Sequence, residues 1–404
     1  MSATPRRPAA SAGSTRPRVV VSANLAWNLV NFRSNVLRAI IAAGYDLVAV
    51  APPDEEAEAK LSAMGCSFVP LAIDSKGTSL LRDARVIRGY ARLFRRLRPA
   101  AYLSYTIKPN LYGAIAARMC GVPAVANISG LGTAFLTGGW LNRLVRGLYR
   151  FGLRGAYIVY FQNQADRDLF LDQRLVRADQ VKLLPGSGVD LAHFAPRPQL
   201  PEDGRAPTFL LVARLLWDKG IGEYVEAARI VRRAFPEARF QLLGFLGAQN
   251  RTAIDEATVK AWIEEGVVDY LGARDDVRAA MAEADCVVLP SYREGTSRVL
   301  LEAAAMAKPL IATDVPGCRE VVDEGVNGLL CAVKNAQSLA AAMAAFARLG
   351  PEARGQMARA SRAKVEREFD ERIVIESYLA ALAELAPRAG GPGARPQAIE
   401  RIEN

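Results

Sequence analysis

The chain has 404 residues, 51% hydrophobic and 23% charged, with 32 glycines and 22 prolines. That is an ordinary globular composition, which excludes collagen, coiled coil and wholesale disorder and predicts two domains of about 150–200 residues. The formal net charge of +10 calls for an anionic partner, while a single histidine, His193, excludes His-based triads and HExxH zinc sites.

The first 17 residues, MSATPRRPAASAGSTRP, lack the apolar core of a secretory signal and read as a disordered tail. Apolar runs at 18–22, 47–51, 67–70, 101–104, 124–128, 156–161 and 181–184 read as strands. Helical patterns fit between them at 32–43, 55–64, 80–98 and 109–120. The polar, proline-rich stretch 193–207 reads as a linker. Strands then resume at 208–213, 240–243, 267–271, 286–289 and 310–312, with helices at 221–233, 252–265, 277–282, 298–306 and 339–348. Continuous Val/Ile/Leu/Ala strands alternating with amphipathic helices predict an α/β fold: two tandem Rossmann-like domains facing across a cleft. The expected order is a first domain over 18–192, the linker, a second domain over 208–371 and a disordered tail over 387–404. No run of about 18 apolar residues spans a bilayer, and five cysteines without a CxxC pair point to a reducing cytoplasm rather than a disulfide framework.

The positive charge is uneven. Residues 18–190 hold 22 Lys/Arg against 12 Asp/Glu, whereas residues 191–404 hold 27 against 30. On a helical wheel Arg85, Arg88, Arg92, Arg95 and Arg96 share one face, and Arg143, Arg146, Arg150 and Arg154 share another. Two readings stay open. Each helix either solvates a surface face, or meets an anionic partner, resting Arg85, Arg88, Arg92, Arg143, Arg146 and Arg150 on an anionic membrane surface or holding the diphosphate of a lipid-linked substrate.

Neither a GxGxxG fingerprint nor a Walker A motif follows any strand, which argues against a dinucleotide or P-loop enzyme. Two strand-to-helix junctions carry the chemistry instead. In SYREGTSRVLLEAAAMAK (291–308) a helix starting near Ser297 aims the amides of Gly295, Thr296 and Ser297 above the sheet, as a phosphate site needs. Glu294 and Glu302, eight residues apart, are placed to accept hydrogen bonds from sugar hydroxyls. In VARLLWDKG (212–220), Arg214 and Lys219 project from a strand end and can neutralise a diphosphate leaving group.

Together these segments resemble the retaining, nucleotide-sugar-dependent family 4 glycosyltransferases of the two-Rossmann-domain (GT-B) kind. FQNQADRDLF (161–170, a strand running into a loop) and LLPGSGVDLAHF (183–194) extend the resemblance to nearly the whole chain. Segments 106–114, 127–135 and 266–277 narrow it to bacterial enzymes that extend undecaprenyl-diphosphate-linked sugars for surface polysaccharide or glycan, close to the subgroup acting on lipid-linked bacillosamine. The resemblance implies that Arg214 and Lys219 bind the donor diphosphate, Glu294 positions the donor sugar, and Glu302 binds the ribose. Gly295, Thr296 and Ser297 would reach the sugar and phosphate, and Lys108, Asn110, Ser129 and Gly130 would line the acceptor cleft. It also implies a UDP-sugar donor, a polyprenyl-diphosphate-linked saccharide acceptor, no metal or other cofactor, and a final helix near 372–386 returning to the first domain. The enzyme would then be cytoplasmic and peripheral on the inner membrane face. Two other classes remain: a sugar-nucleotide 2-epimerase, which the Glu294/Glu302 pair disfavours, and a basic non-catalytic nucleic-acid-binding protein, which the lack of interleaved aromatics disfavours.

Overall fold

The computed structural model describes residues 16–73, 80–131, 140–197, 206–247, 250 and 252–385. The expected C-terminal tail, residues 1–15 of the expected N-terminal one, and linker residues 198–205 lie outside the described residues. Strands β1 (Arg18–Ser22), β2 (Asp46–Ala51), β3 (Ser67–Pro70), β4 (Ala101–Tyr105), β5 (Ala124–Ile128), β6 (Ile158–Phe161) and β7 (Val181–Leu183) form one sheet in the order β3-β2-β1-β4-β5-β6-β7. Strands β8 (Thr208–Val212), β9 (Arg239–Leu243), β10 (Asp269–Tyr270), β11 (Cys286–Leu289), β12 (Leu310–Thr313) and β13 (Gly328–Cys331) form a second, β10-β9-β8-β11-β12-β13. The strand pairs run parallel in both. Their inner strands are buried from end to end, which is why they read as unbroken apolar runs.

The helices are α1 (Ala26–Ala42), α2 (Glu55–Ala63), α3 (Leu80–Leu97), α4 (Ala114–Met119), α5 (Trp140–Leu153), α6 (Gln164–Asp172), α7 (Ile221–Ala234), α8 (Glu256–Glu264), α9 (Arg278–Glu283), α10 (Arg298–Ala305), α11 (Ala336–Ala347), α12 (Pro351–Glu368) and α13 (Glu371–Leu385). Both sheets repeat the Rossmann strand order, in which the chain reverses direction across the sheet after the third strand. The reversal leaves a crevice beyond the carboxyl ends of β1 and β4 in one sheet, and of β8 and β11 in the other. By compactness the chain forms two units: residues 1–127, 151–158 and 375–404, and residues 128–150 and 159–374.

Four local departures from the sequence reading have physical causes. Helix α1 begins six residues before the expected Phe32. It buries Arg33 among Ala26, Leu29, Val36, Leu37 and Ile40 while Trp27 and Phe32 stay exposed, so its apolar pattern misleads. The Arg33 guanidinium lies 4.4 Å from the Tyr105 ring centroid, a cation–π contact that offsets part of its burial. The expected helix 109–120 divides into a π-helical turn, Pro109–Gly113, and α4. There the Tyr102 hydroxyl donates to the Pro109 carbonyl (3.1 Å), a side-chain bond within the ladder of the kind that accompanies such turns. The loop expected within 161–170 is instead part of the helix α6 (Gln164–Asp172), capped by the Asn163 side chain accepting from the Asp166 amide (2.8 Å). Strand β13 was not anticipated: it follows β12 through an irregular connection with no intervening helix to mark it.

Within the first unit, α13 is fastened by its Tyr378 hydroxyl, which accepts from Asn127 Nδ2 (2.9 Å), and by Glu384, which accepts from the Tyr157 hydroxyl (2.6 Å). All five cysteines are free thiols, and burial pushes the Cys66 and Cys331 thiols up to about 12.

Candidate active site

The crevice of the second sheet collects the residues singled out by sequence. Strand β8 pairs with β11 through Phe209↔Cys286 and Leu210↔Val287, so the loops that follow them emerge side by side. After β8 the chain passes Arg214, makes a 3₁₀ turn at Trp217–Lys219, and enters α7 through Gly220 at φ 71°. After β11 it makes the turn Pro290–Ser297 and enters α10. The two loops are joined by the Tyr292 amide donating to the Asp218 carbonyl (2.9 Å). Lys219 Nζ meets Glu294 Oε1 at 2.5 Å, with side chains 20% and 16% exposed. This is a largely desolvated ion pair, in which each partner holds the other in one place. Arg214 is exposed and forms no ion pair with a described residue.

The turn that carries Glu294 is anchored on its own side by two backbone bonds: the Glu294 amide to the Pro316 carbonyl (3.2 Å) and the Ser297 amide to the Gly317 carbonyl (2.9 Å). Ser297 is the N-cap of α10 and its hydroxyl accepts from the Leu300 amide (3.4 Å). Its amide is therefore committed to the fold, and the Gly295 and Thr296 amides, which have no described partner, are the ones open to a ligand at this helix end.

Glu302, one turn into α10 and 7% exposed, bonds Arg298 Nε through Oε1 at 2.5 Å. Burial pushes its carboxyl above the ordinary range, against the pull of the Arg298 guanidinium. A raised carboxyl pKa contributes stability that is complete below the ordinary value and is lost as pH rises through the elevated one. Glu302→Gln is therefore expected to raise Tm by about 2–4 °C at pH 7.5 and to give no gain near pH 4.5. Differential scanning calorimetry at the two pH values checks this, and a lower Tm at pH 7.5 contradicts it.

The remaining candidates are dispersed. Lys108 is paired with Asp83 (3.1 Å), with side chains 14% and 10% exposed, and Asn110 is buried, donating to the Asn127 carbonyl (2.7 Å). Ser129 lies against the Glu294 turn: a Cβ on Gly295 would stand 2.3 Å from the Ser129 carbonyl oxygen. Gly130, next in the chain, sits at φ 143°. Arg85, Arg88, Arg92, Arg143 and Arg150 are exposed, whereas Arg146 is half-buried. Three residues that sequence did not single out, Asn163, Asp166 and Arg293, bond the Glu294 turn to the start of α6. Asn163 and Asp166 had as their local signal the Asn-x-x-Asp spacing of a helix cap within 161–170, whereas Arg293, within 291–308, had none of its own. Among the described residues no group of three or more His, Cys, Asp or Glu could hold a metal ion.

Residues 31–187 match the family described as glycosyl transferase 4-like domain, and residues 206–348 match glycosyl transferases group 1. The chain belongs to this glycosyltransferase family. The glycosyltransferase is 25% identical over 370 residues, 87% of this chain and 94% of the relative, to the N,N'-diacetylbacillosaminyl-diphospho-undecaprenol alpha-1,3-N-acetylgalactosaminyltransferase of Campylobacter jejuni. It is 23% identical over 282 residues, 67% of this chain and 72% of the relative, to an Escherichia coli UDP-Gal:alpha-D-GlcNAc-diphosphoundecaprenol alpha-1,3-galactosyltransferase. Its GT-B fold superposes on the Anabaena protein HepE, solved with UDP and glucose, with a TM-score of 0.72 at 20% identity, covering 92% of this chain and all of that one. The family and the crevice coincide: the group 1 match spans Arg214, Lys219, Glu294 and Glu302.

Proposed function

We propose that this glycosyltransferase moves a hexose or N-acetylhexosamine from a UDP-sugar to a saccharide carried on undecaprenyl diphosphate, with retention and without a metal, in bacterial polysaccharide or glycan assembly. The observation that carries the reading is the Lys219–Glu294 pair at the β8/β11 crevice, with Arg214 on the same loop and Glu302 one turn into α10. The names of the Campylobacter and Escherichia relatives support the lipid-linked acceptor.

In this reading Arg214, Lys219 and the amides of Gly295 and Thr296 meet the charge that develops on the departing diphosphate. Glu294 holds the sugar hydroxyls and Glu302 the ribose. As the anomeric C–O bond to the diphosphate breaks, the acceptor hydroxyl oxygen bonds the same face of the anomeric carbon. Its proton passes to the departing phosphate oxygen. Positioning and fixed charge supply the rate, so a chain with one histidine suffices. The exposed arginines of α3 and α5 supply the surface for an anionic membrane that carries the acceptor, from the cytoplasmic face. No helix among the described residues is long and apolar enough to cross a membrane.

The test is a thermal-shift and UDP-release screen against UDP- and GDP-sugars, with a short polyprenyl-diphosphate-linked N-acetylhexosamine presented in anionic or neutral vesicles. The expected result is stabilisation by one UDP-sugar and UDP release that needs the acceptor and is faster on anionic vesicles. UDP-sugar turnover to a free isomer without acceptor would establish the epimerase instead, and equal rates on both vesicles would remove the membrane contact.

A further inference from the structure

The N-terminus of α6 touches the Glu294 turn on both sides of Glu294, and both contacts lie within the second compact unit. On one side Arg293 Nη2 pairs with Asp166 Oδ1, whose side chain is only 1% exposed. On the other, Asn163 Nδ2 donates to the Gly295 carbonyl at 2.7 Å. The two α6 residues also hold each other: Asn163 Nδ2 donates to Asp166 Oδ2 (3.1 Å), and the Asp166 amide donates to Asn163 Oδ1 (2.8 Å). One residue further, the Thr296 hydroxyl donates to the Gln162 carbonyl (2.8 Å).

Capping α6 does not require these outward bonds. Asn163 satisfies the helix end through its Oδ1 alone, while its amide and the Asp166 carboxylate are spent on residues 293 and 295. A buried carboxylate is costly unless it is paired, so the fold carries the Asp166–Arg293 pair at the residue adjoining the proposed sugar-holding carboxylate. We infer that Asn163 and Asp166 are positioning residues that set the Glu294 carboxylate by fixing the backbone before and after it. The inference rests on the role proposed for Glu294. Fixing both flanks restricts the turn to one conformation, in which Glu294 faces Lys219 at 2.5 Å and the Gly295 and Thr296 amides stay aligned with the start of α10.

The test compares Asp166→Ala, Arg293→Met, their double variant, Asp166→Asn, Asn163→Ser and Glu294→Gln in the full-length protein. Serine keeps the helix cap and removes the Nδ2 that donates to the Gly295 carbonyl and to Asp166 Oδ2, while the Asp166 carboxylate keeps Arg293, so Asn163→Ser remains informative if Asp166→Ala folds poorly. With UDP-N-acetylgalactosamine, or the UDP-sugar chosen by the screen above, Asp166→Ala is expected to lower kcat per folded molecule by about 10–100-fold while donor KM moves less than about threefold. The double variant should be no worse than the poorer single variant, and Asp166→Asn should recover part of the loss. A kcat for Asp166→Ala and Asn163→Ser within about twofold of the parent, with Glu294→Gln inactive, overturns the positioning inference alone. An active Glu294→Gln overturns the role of Glu294 itself. Hydrogen exchange supplies a readout that needs no donor. Amides 293–297 should exchange at least about tenfold faster in Asn163→Ser, with the rest of the chain unchanged, and unaltered exchange there also overturns the inference.

Discussion

If Lys219 holds the donor diphosphate as proposed, Lys219→Ala is expected to lower kcat by about 10²–10³-fold, the loss associated with removing one preorganised charge from a developing oxyanion. Two effects combine. The diphosphate loses its most enclosed cation, and Glu294, 16% exposed, is left with a carboxylate that has no positive partner. Arg214→Ala is expected to cripple turnover as well, but by the first effect only, since Arg214 is exposed and forms no ion pair with a described residue. The two variants therefore differ in a second observable: Lys219→Ala lowers Tm, whereas Arg214→Ala leaves it unchanged. Initial rates of acceptor-dependent UDP release, measured beside Tm, check both. Near-normal turnover in either variant removes that residue from the cationic clamp.

Gly220→Ala is expected to lower Tm by about 10 °C and to abolish measurable transfer. A Cβ at this position would stand 2.0 Å from the Pro290 carbonyl oxygen and 2.7 Å from its carbon, and the residue sits at φ 71°. A left-handed non-glycine residue costs about 1–2 kcal/mol and overpacking against backbone about 1–3 kcal/mol more. In a domain of this size each kcal/mol moves Tm by about 2–4 °C. The clash also falls on the contact that brings the Lys219 loop to the Glu294 turn, so catalysis should fail before the fold does. Gly247→Ala is the control, because Gly247 has φ 82° but nothing within 4 Å of the added methyl. If Gly220→Ala melts no lower than Gly247→Ala, the close approach to Pro290 is not what holds the two loops together.

The sheets were legible in sequence because buried parallel strands write themselves as uninterrupted runs such as the Val-Val-Val of β1 and the Cys-Val-Val-Leu of β11. Helices facing water were legible only where their buried stripe was apolar. In α1 the stripe contains Arg33 and the outer face contains Trp27 and Phe32, so periodicity placed its start too late. Helix α12 hid for a related reason: its buried face includes Ser361 and Lys364. The site divides in the same way. Residues at the ends of β8 and β11 could be found from strand-to-helix junctions, because the carboxyl edge of such a sheet is where ligands bind. The partnership of Asp166 with Arg293, separated by 127 residues, leaves no local trace, since either one alone reads as an ordinary surface charge. Lys108 shows the converse. Its acceptor-cleft role was implied by the resemblance, its place at a helix start being the ordinary alternative, and only the structure reveals Asp83 beside it.

The Lys219–Glu294 pair also bears on how the protein lets go of what it binds. Any phosphate that takes hold of Lys219 does so in competition with a carboxylate tethered 2.5 Å away at fixed, very high effective concentration. In the proposed roles, a nucleotide sugar would win that contest because its sugar hydroxyls give Glu294 a replacement for the lysine. The bare nucleoside diphosphate left after transfer would offer no such replacement, and Glu294 would return to Lys219. The pair would then be an internal rival to the spent product, expected to keep product affinity below substrate affinity.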